Sequence, residues 1–210
     1  MTFLKHNHVS LRQLSHKMLA FLVSVLLVLV LATPFAPATT ALAENTSSNK
    51  SSITDEPKLT EATTAIVTDA QGNVLWSKNP DQELPMASIT KVMTAIVALD
   101  SGVNLDEPCE ITVPDLEEGS QVAGLTSEDT PTLRQLIMMM LVYSANDAAY
   151  NIAINVSGSQ QAFIDQMNKK AAEIGMTHTQ FQNPHGLDAD GHYSTARDLA
   201  LMGRYAREHY

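Results

Sequence analysis

The chain has 210 residues, 44% of them hydrophobic and 17% charged, which is one domain's worth of sequence with enough apolar content to bury a core and excludes disorder along the whole length. Thirteen Lys and Arg stand against 23 Asp and Glu, a net charge of −10, and Lys5, Arg12 and Lys17 all precede the first acid, Glu44; so acidic a remainder repels phosphate backbones and excludes nucleic acid as a partner. The single cysteine, Cys109, excludes an internal disulfide and a cysteine zinc cage.

Residues 1–43 open with a basic stretch, continue through an apolar run from Met18 to Ala32 broken by Ser24, and end at Ala41-Leu42-Ala43. That layout predicts a secretory signal peptide cleaved after Ala43. An uncleaved membrane anchor is the rival, but the apolar run meets Pro34 and Pro37 before it reaches the ~20 residues that span hydrocarbon. Both readings put the rest of the chain on the extracytoplasmic side of a membrane. Residues 44–62, rich in Ser, Thr, Asn and Lys, read as a flexible polar linker.

The remainder, 63–210, reads as one domain. Thr64–Thr68 and Val74–Ser77 are β-prone runs around Asp69-Ala70-Gln71-Gly72-Asn73, whose Gly and Asn tolerate positive φ, so a hairpin is predicted. Ser88–Leu99 carries Ile89, Val92, Met93, Ile96 and Val97 at helical spacing and stops near Gly102. The polar stretch 106–129 reads as loop, with a short strand expected at Glu110–Val113. Thr130-Pro131 caps a helix whose apolar face is Leu133, Leu136, Ile137, Met140 and Leu141, the methionines serving as core filler. Helical spacing resumes at Asp147. A further helix starts at Ser159, buries Phe163, Met167, Ala171 and Ile174, and ends at Gly175. Thr195-Ala196-Arg197-Asp198 opens another, which is still running at Tyr210. A lone hairpin leaves its face and edges in need of more strands, so the sequence reads as cut short.

Two short elements carry chemistry. Ser88-Ile89-Thr90-Lys91 puts a hydroxyl and an amine three residues apart at a helix start, on one face. Serine needs a base to act as a nucleophile, and a buried lysine that loses its charge supplies one. The bland alternative is an N-cap serine with an exposed lysine. Ser144-Ala145-Asn146 lies at a break between helices, where it can aim a hydroxyl and an amide into a cleft or simply cap helix ends. His185, His192, Asp188 and Asp190 suggest a metal, yet they lack the further oxygen ligands of a calcium loop and an H-E-x-x-H; an ordered loop beside the cleft is the expectation, with no metal. Cys109 is expected to be an inert thiol, and Asp115, Glu117 and Glu118 a solvated face.

Taken together, Pro85–Thr94, Tyr143–Ala148 and His185–Asp198 make the chain resemble the low-molecular-mass penicillin-binding proteins, and more narrowly the D-alanyl-D-alanine carboxypeptidases of serine peptidase family S11. The His185-Gly186-Leu187-Asp188 block separates that family from class A β-lactamases. The resemblance implies an α/β fold of the β-lactamase and transpeptidase type, present as its helical portion plus the first strands of an antiparallel sheet. It implies that Ser88 is the nucleophile, Lys91 its general base, Ser144 a proton shuttle and Asn146 a holder of substrate amide and of Lys91. The implied substrate is a peptidoglycan stem peptide ending in D-Ala-D-Ala, with β-lactams as covalent inhibitors, no cofactor, and membrane association through an uncleaved signal or a C-terminal anchor. The family's third element, Lys-Thr-Gly or Lys-Ser-Gly, does not follow Asn146: the only later lysines, Lys169 and Lys170, precede Ala171 and Ala172. Weak activity or none is therefore expected of this chain. The alternatives are a penicillin sensor or peptidoglycan-binding module without turnover, a non-catalytic exported remnant, and a class A-like β-lactamase.

Overall fold

In the computed structural model of the chain the described residues are 60–210; the expected signal and nearly all of the expected linker lie outside them. Strands β1 (Ala65–Thr68) and β2 (Val74–Lys78) form the predicted antiparallel hairpin, pairing Ala65 with Lys78 and Val67 with Trp76, with a bulge between Val67 and Thr68. Its turn is built by Asp69, whose carboxylate accepts from the backbone N–H groups of Gln71 and Asn73 at 2.9 and 2.8 Å, while Gly72 takes the left-handed φ of 91°. A Cβ there would lie 2.4 Å from Arg204 Nη1, the movable end of that side chain, so it is the φ rather than the space that favours glycine.

Among the described residues the α-helices are α1 (Thr90–Asp100), α2 (Leu133–Tyr143), α3 (Asn146–Ser157), α4 (Gln160–Ile174) and α5 (Ala196–His209). Helix α1 is the hub. It packs on each of the other four helices and buries eight of its eleven residues, so it is covered nearly all round, as expected of a central helix. Met93, Ile96, Val97 and Ala98 meet Leu133, Leu136 and Met140 of α2, Ala148, Ala149 and Ile152 of α3, and Phe163 and Met167 of α4 in one core. Among the described residues no helix is long and apolar enough to cross a membrane.

Three local expectations are corrected. Helix α2 is capped by Thr132, not Thr130: Thr132 Oγ1 accepts from Gln135 N–H and Gln135 Oε1 accepts from Thr132 N–H, a reciprocal box, while Pro131 O is occupied by Cys109 N–H. Leu141 does not join the core; it is 51% exposed, because the core stripe of α2 runs through Leu133, Leu136, Ile137 and Met140 and its last turn has left the interface. Met140 is core filler as expected, whereas Met138 faces outward. The third correction concerns Glu110–Val113, which forms no strand. Its backbone is satisfied instead by two asparagines one turn apart on α3. Asn151 Oδ1 accepts from Thr112 N–H and its Nδ2 donates to Thr112 O (2.8 and 3.0 Å), and Asn155 does the same for Glu110 (3.2 and 2.9 Å). The asparagines thus act as an imitation strand edge for a segment with strand-like composition. Asn151 is fully buried and Asn155 half-buried. Asn151→Ala should therefore cost about 1–3 kcal/mol and Asn155→Ala less, measured by urea unfolding of each variant.

Candidate active site

The turn that carries Ser88 contributes no packing of its own. Ala87–Ile89 form a single 3₁₀ turn with no buried residue, flanked by two anchors, Met86 at 4% exposure and Thr90 at 0%. The predicted helix from Ser88 thus begins as 3₁₀ and becomes α at Thr90. Ala87 has φ 48°, a left-handed conformation that costs an alanine about 1–3 kcal/mol and must be held by surroundings. Ser88 occupies neither cap position, these being Met86 and Ile89, so its hydroxyl is not consumed by capping and stands exposed.

Lys91, three residues on, is 2% exposed. Its Nζ donates to Ser88 Oγ at 3.0 Å and to the backbone carbonyl of His185 at 2.5 Å. The reading of Ser88 and Lys91 as a cap and a surface lysine is therefore overturned. Burial pulls the lysine's pKa from 10.5 down to about 8. No acid lies in the first turn of α1 to hold the charge, and the positive end of the helix opposes it further. At 3.0 Å the same line serves the reverse donation, from Ser88 Oγ–H to the lone pair of a neutral amine.

The carbonyl that holds Lys91 comes from the segment 180–194, which pairs back on itself through Gln180 and Tyr193 and joins the strand-like Leu84 through Ser194. Its residues Pro184 and His185 turn successive carbonyls onto α1, to Thr94 Oγ1 (2.6 Å) and Lys91 Nζ. Asn183 shapes the turn by accepting from the N–H groups of His185 and Gly186 and donating to Leu187 O. Gly186 then sits on the nucleophile's turn: its φ is 93°, and a Cβ would lie 2.0 Å from Ala87 O and 3.0 Å from Ser88 N. The ring of His185 is neutral. Burial, then the Lys91 charge and then His192, lower its pKa to about 4, and its Nδ1 accepts from Leu187 N–H. Neither His185 nor Gly186 is among the residues that the sequence marked for the site, yet their backbone shapes it; backbone contacts leave no side-chain signal, apart from the glycine itself.

Ser144 and Asn146 form the elbow between α2 and α3. Ser144 ends α2 in the left-handed conformation (φ 60°), and Asn146 begins α3, 4% exposed, its N–H donating to Gln121 O. The next residue, Asp147, fastens the elbow by accepting from the N–H groups of Ala123, Gly124 and Leu125 at 2.8–3.0 Å. Both helices of the elbow pack on α1. Lys91 Nζ donates to Ser88 and to His185, and among the described residues no hydrogen bond joins it to Ser144 or Asn146.

Apart from His185, the remaining candidates make no hydrogen bond to Ser88 or Lys91. His192 hydrogen-bonds to Thr90 and the backbone, and no group of three or more His, Cys, Asp or Glu among the described residues is placed to hold a metal. Cys109 is buried, and that burial, with Glu107 beside it, raises its thiol pKa, the condition of an unreactive cysteine. Asp115, Glu117 and Glu118 are exposed. A cavity of about 130 Å³ between the hairpin and α5, lined by Ile66, Val74, Leu201 and Arg204 among others, shares no residue with the Ser88 site.

A hydroxyl on a strained, exposed turn stands beside a buried amine of lowered basicity at the head of a central helix, an arrangement chemically suited to acyl transfer. The chain belongs to the D-alanyl-D-alanine carboxypeptidase family, peptidase S11, whose model matches residues 36–210. It is 33% identical over 187 residues to the D-alanyl-D-alanine carboxypeptidase DacF of Bacillus subtilis, covering 87% of this chain and 46% of that protein. It is 41% identical over 143 residues to a D-alanyl-D-alanine endopeptidase of Pseudomonas aeruginosa, covering 66% of this chain and 45% of that one. Among solved structures it resembles the carboxypeptidase DacD of Francisella tularensis with a TM-score of 0.67 at 33% identity, over 71% of this chain and 38% of that chain. Penicillin-binding protein D2 of Listeria monocytogenes, in its ampicillin-bound form, gives 0.64 at 31%, over 72% and 64%. The chain thus spans about half the length of the curated relatives it matches. The expected penicillin-binding fold is borne out.

Because Gly186 has no room for a Cβ against the backbone of Ala87 and Ser88, Gly186→Ala should destabilise the protein by more than about 2 kcal/mol. Chemical denaturation of the two proteins would show it as a lowered urea midpoint.

Proposed function

We propose that this chain carries the acylating half of a serine D-Ala-D-Ala carboxypeptidase acting on peptidoglycan stem peptides outside the cytoplasm. The observation that carries the reading is the hydrogen bond between Ser88 Oγ and a Lys91 amine whose pKa burial has lowered to about 8. Neutral Lys91 takes the Ser88 proton as Oγ attacks the carbonyl of the penultimate D-Ala; the C–N bond to the terminal D-Ala breaks, and that residue leaves with a proton as a free amino acid. Water then attacks the ester, with Lys91 again accepting a proton, and frees Ser88. A β-lactam follows the first half of this path, its ring amide opening onto Ser88. Ser144 and Asn146 are assigned to proton relay and to substrate amide binding.

The family's Lys-Thr-Gly or Lys-Ser-Gly is not among the residues after Asn146, and Lys170 is no substitute, being bound to Asp100 and Glu173 at 2.8 and 2.9 Å. The likeness to an endopeptidase at 41% identity supports a second reading, cleavage at an internal D-alanyl bond by the same acyl-enzyme. Residues 1–43 are proposed to export the protein, and residues 63–210 to be the N-terminal part of the catalytic domain.

Covalent labelling accumulates even when slow, so long incubation with a fluorescent penicillin is the decisive test. Wild type should form an adduct and Ser88→Ala none; an unlabelled wild type, or an adduct that survives Ser88→Ala, would overturn the reading. Lys91→Ala should slow acylation by about 10²–10⁴ with less effect on binding, read from the concentration dependence of labelling. Release of label separates a hydrolase from a sensor, and D-Ala release from a peptide ending in D-Ala-D-Ala separates a carboxypeptidase from a β-lactamase or an endopeptidase.

The pH dependence has a definite sign. The attacking form needs neutral Lys91, whose pKa is about 8. Acylation should rise about tenfold per pH unit below that value and level off above it, whereas an unperturbed lysine would keep rising towards 10. Stopped-flow labelling from pH 6 to 10 would distinguish the two.

A further inference from the structure

The Ser88–Lys91 separation depends on the junction where the 3₁₀ turn passes into α1, and that junction is Thr90, whose N–H is shared between Ala87 O and Ser88 O. The turn itself buries nothing, so the rotation of Ser88 relative to Lys91 is set by what grips Thr90. The grip comes from across the cleft. Thr90 Oγ1 and His192 Nε2 lie 2.8 Å apart, both residues buried, while His192 Nδ1 accepts the N–H of Gln182 at 3.0 Å. Since Nδ1 is an acceptor, the proton of the neutral ring is on Nε2 and is donated to Thr90 Oγ1. The ring also meets Phe181 edge-on at 6.0 Å.

We propose that His192 is a positioning residue for acylation, holding the 3₁₀-to-α junction at Thr90 so that the Ser88 hydroxyl stays in line with the Lys91 amine. His192 does not touch the reacting atoms. It is the third strut from one segment to one helix turn, beside Pro184 O on Thr94 and His185 O on Lys91, and the only one of the three attached between nucleophile and base. Burial keeps the ring neutral against the opposing pull of Asp188. The other titratable group coupled to it is His185 on the same segment, which in turn faces Lys91 on α1. A protonated ring would have to give up the Gln182 bond, because neither nitrogen could then accept.

The inference rests on the acyl-enzyme reading above. It is tested by labelling kinetics of the full chain with a fluorescent penicillin from pH 6 to 10, for wild type, Thr90→Val, His192→Phe, the double variant and His192→Gln. Folding of each variant is checked by circular dichroism and melting. Thr90→Val and His192→Phe should each slow acylation about tenfold or more and move its pH midpoint upward as Lys91 becomes better hydrated. The double variant should be no slower than the slower single one, and His192→Gln, whose amide can donate as Nε2–H does, should recover most of the rate. If the wild type is acylated but folded Thr90→Val or His192→Phe keeps its rate and midpoint, or if the two losses multiply, the positioning role is overturned and the acyl-enzyme reading stands. If the wild type is not acylated at all, both are overturned.

Discussion

The structure turns on one unfavourable act, the burial of an amine with no carboxylate to balance it. An ammonium in that position would lose its water and gain only a carbonyl and a hydroxyl, while standing at the positive end of α1. Giving up the proton relieves the conflict, and the lowered pKa of Lys91 measures how far the protein has pushed it. The electrostatics that make Lys91 a poor contributor to stability below pH 8 are those that make its amine easier to deprotonate. Linkage gives the sign: with its folded pKa below its unfolded one, this group favours the folded state more as pH rises from about 8 towards 10.5, and less on the acid side.

Such a burial holds only if the surroundings cannot relax, and the architecture supplies that rigidity unequally. Lys91 lies on the hub helix, locked by core on nearly every side. Ser88 stands on an exposed turn with a left-handed alanine before it, held by Met86, by Thr90 and by the backbone of Gly186 pressing on Ala87. An exposed serine can be reached by a bulky substrate, and a buried lysine can lose its charge; each group needs the opposite environment, and the 3₁₀-to-α junction lets three residues of chain cross between them.

Much of this was legible in the sequence because it is written in side chains with local consequences. The hairpin, the Ser159 cap, the Gly175 stop and the inward face of the helix over Gln160–Ile174 follow from turn chemistry and period. Ser88 and Lys91 announce themselves by spacing and by motif. Glu110–Val113 misled because strand-like composition says only that a segment suits an extended ladder, not whether the partner is a strand or two asparagines on a helix. Thr130-Pro131 misled because two cap-like residues lay two positions apart and only the reciprocal bond with Gln135 decides between them. The stretch His185–His192 reads as an ordered loop, but its work is not legible, since His185 and the preceding Pro184 act through carbonyls that any residue has.

The polar chemistry elsewhere in the domain explains why acylation and substrate anchoring are separable. A carboxylate-terminated peptide needs a cation with free valence near Ser88. Lys170 is engaged by Asp100 and Glu173, Arg134 by Asp106, and Arg197 by Asp81, while Arg204 and Arg207 close on the carbonyls of the hairpin turn. These cations fasten α4 to α1, α2 and α5 to neighbouring loops, and α5 to the hairpin turn, and none of their bonds reaches the turn that carries Ser88. The Ser88–Lys91 contact is held instead by the hub helix and by the backbone of the 180–194 segment, so its geometry does not draw on these ion pairs.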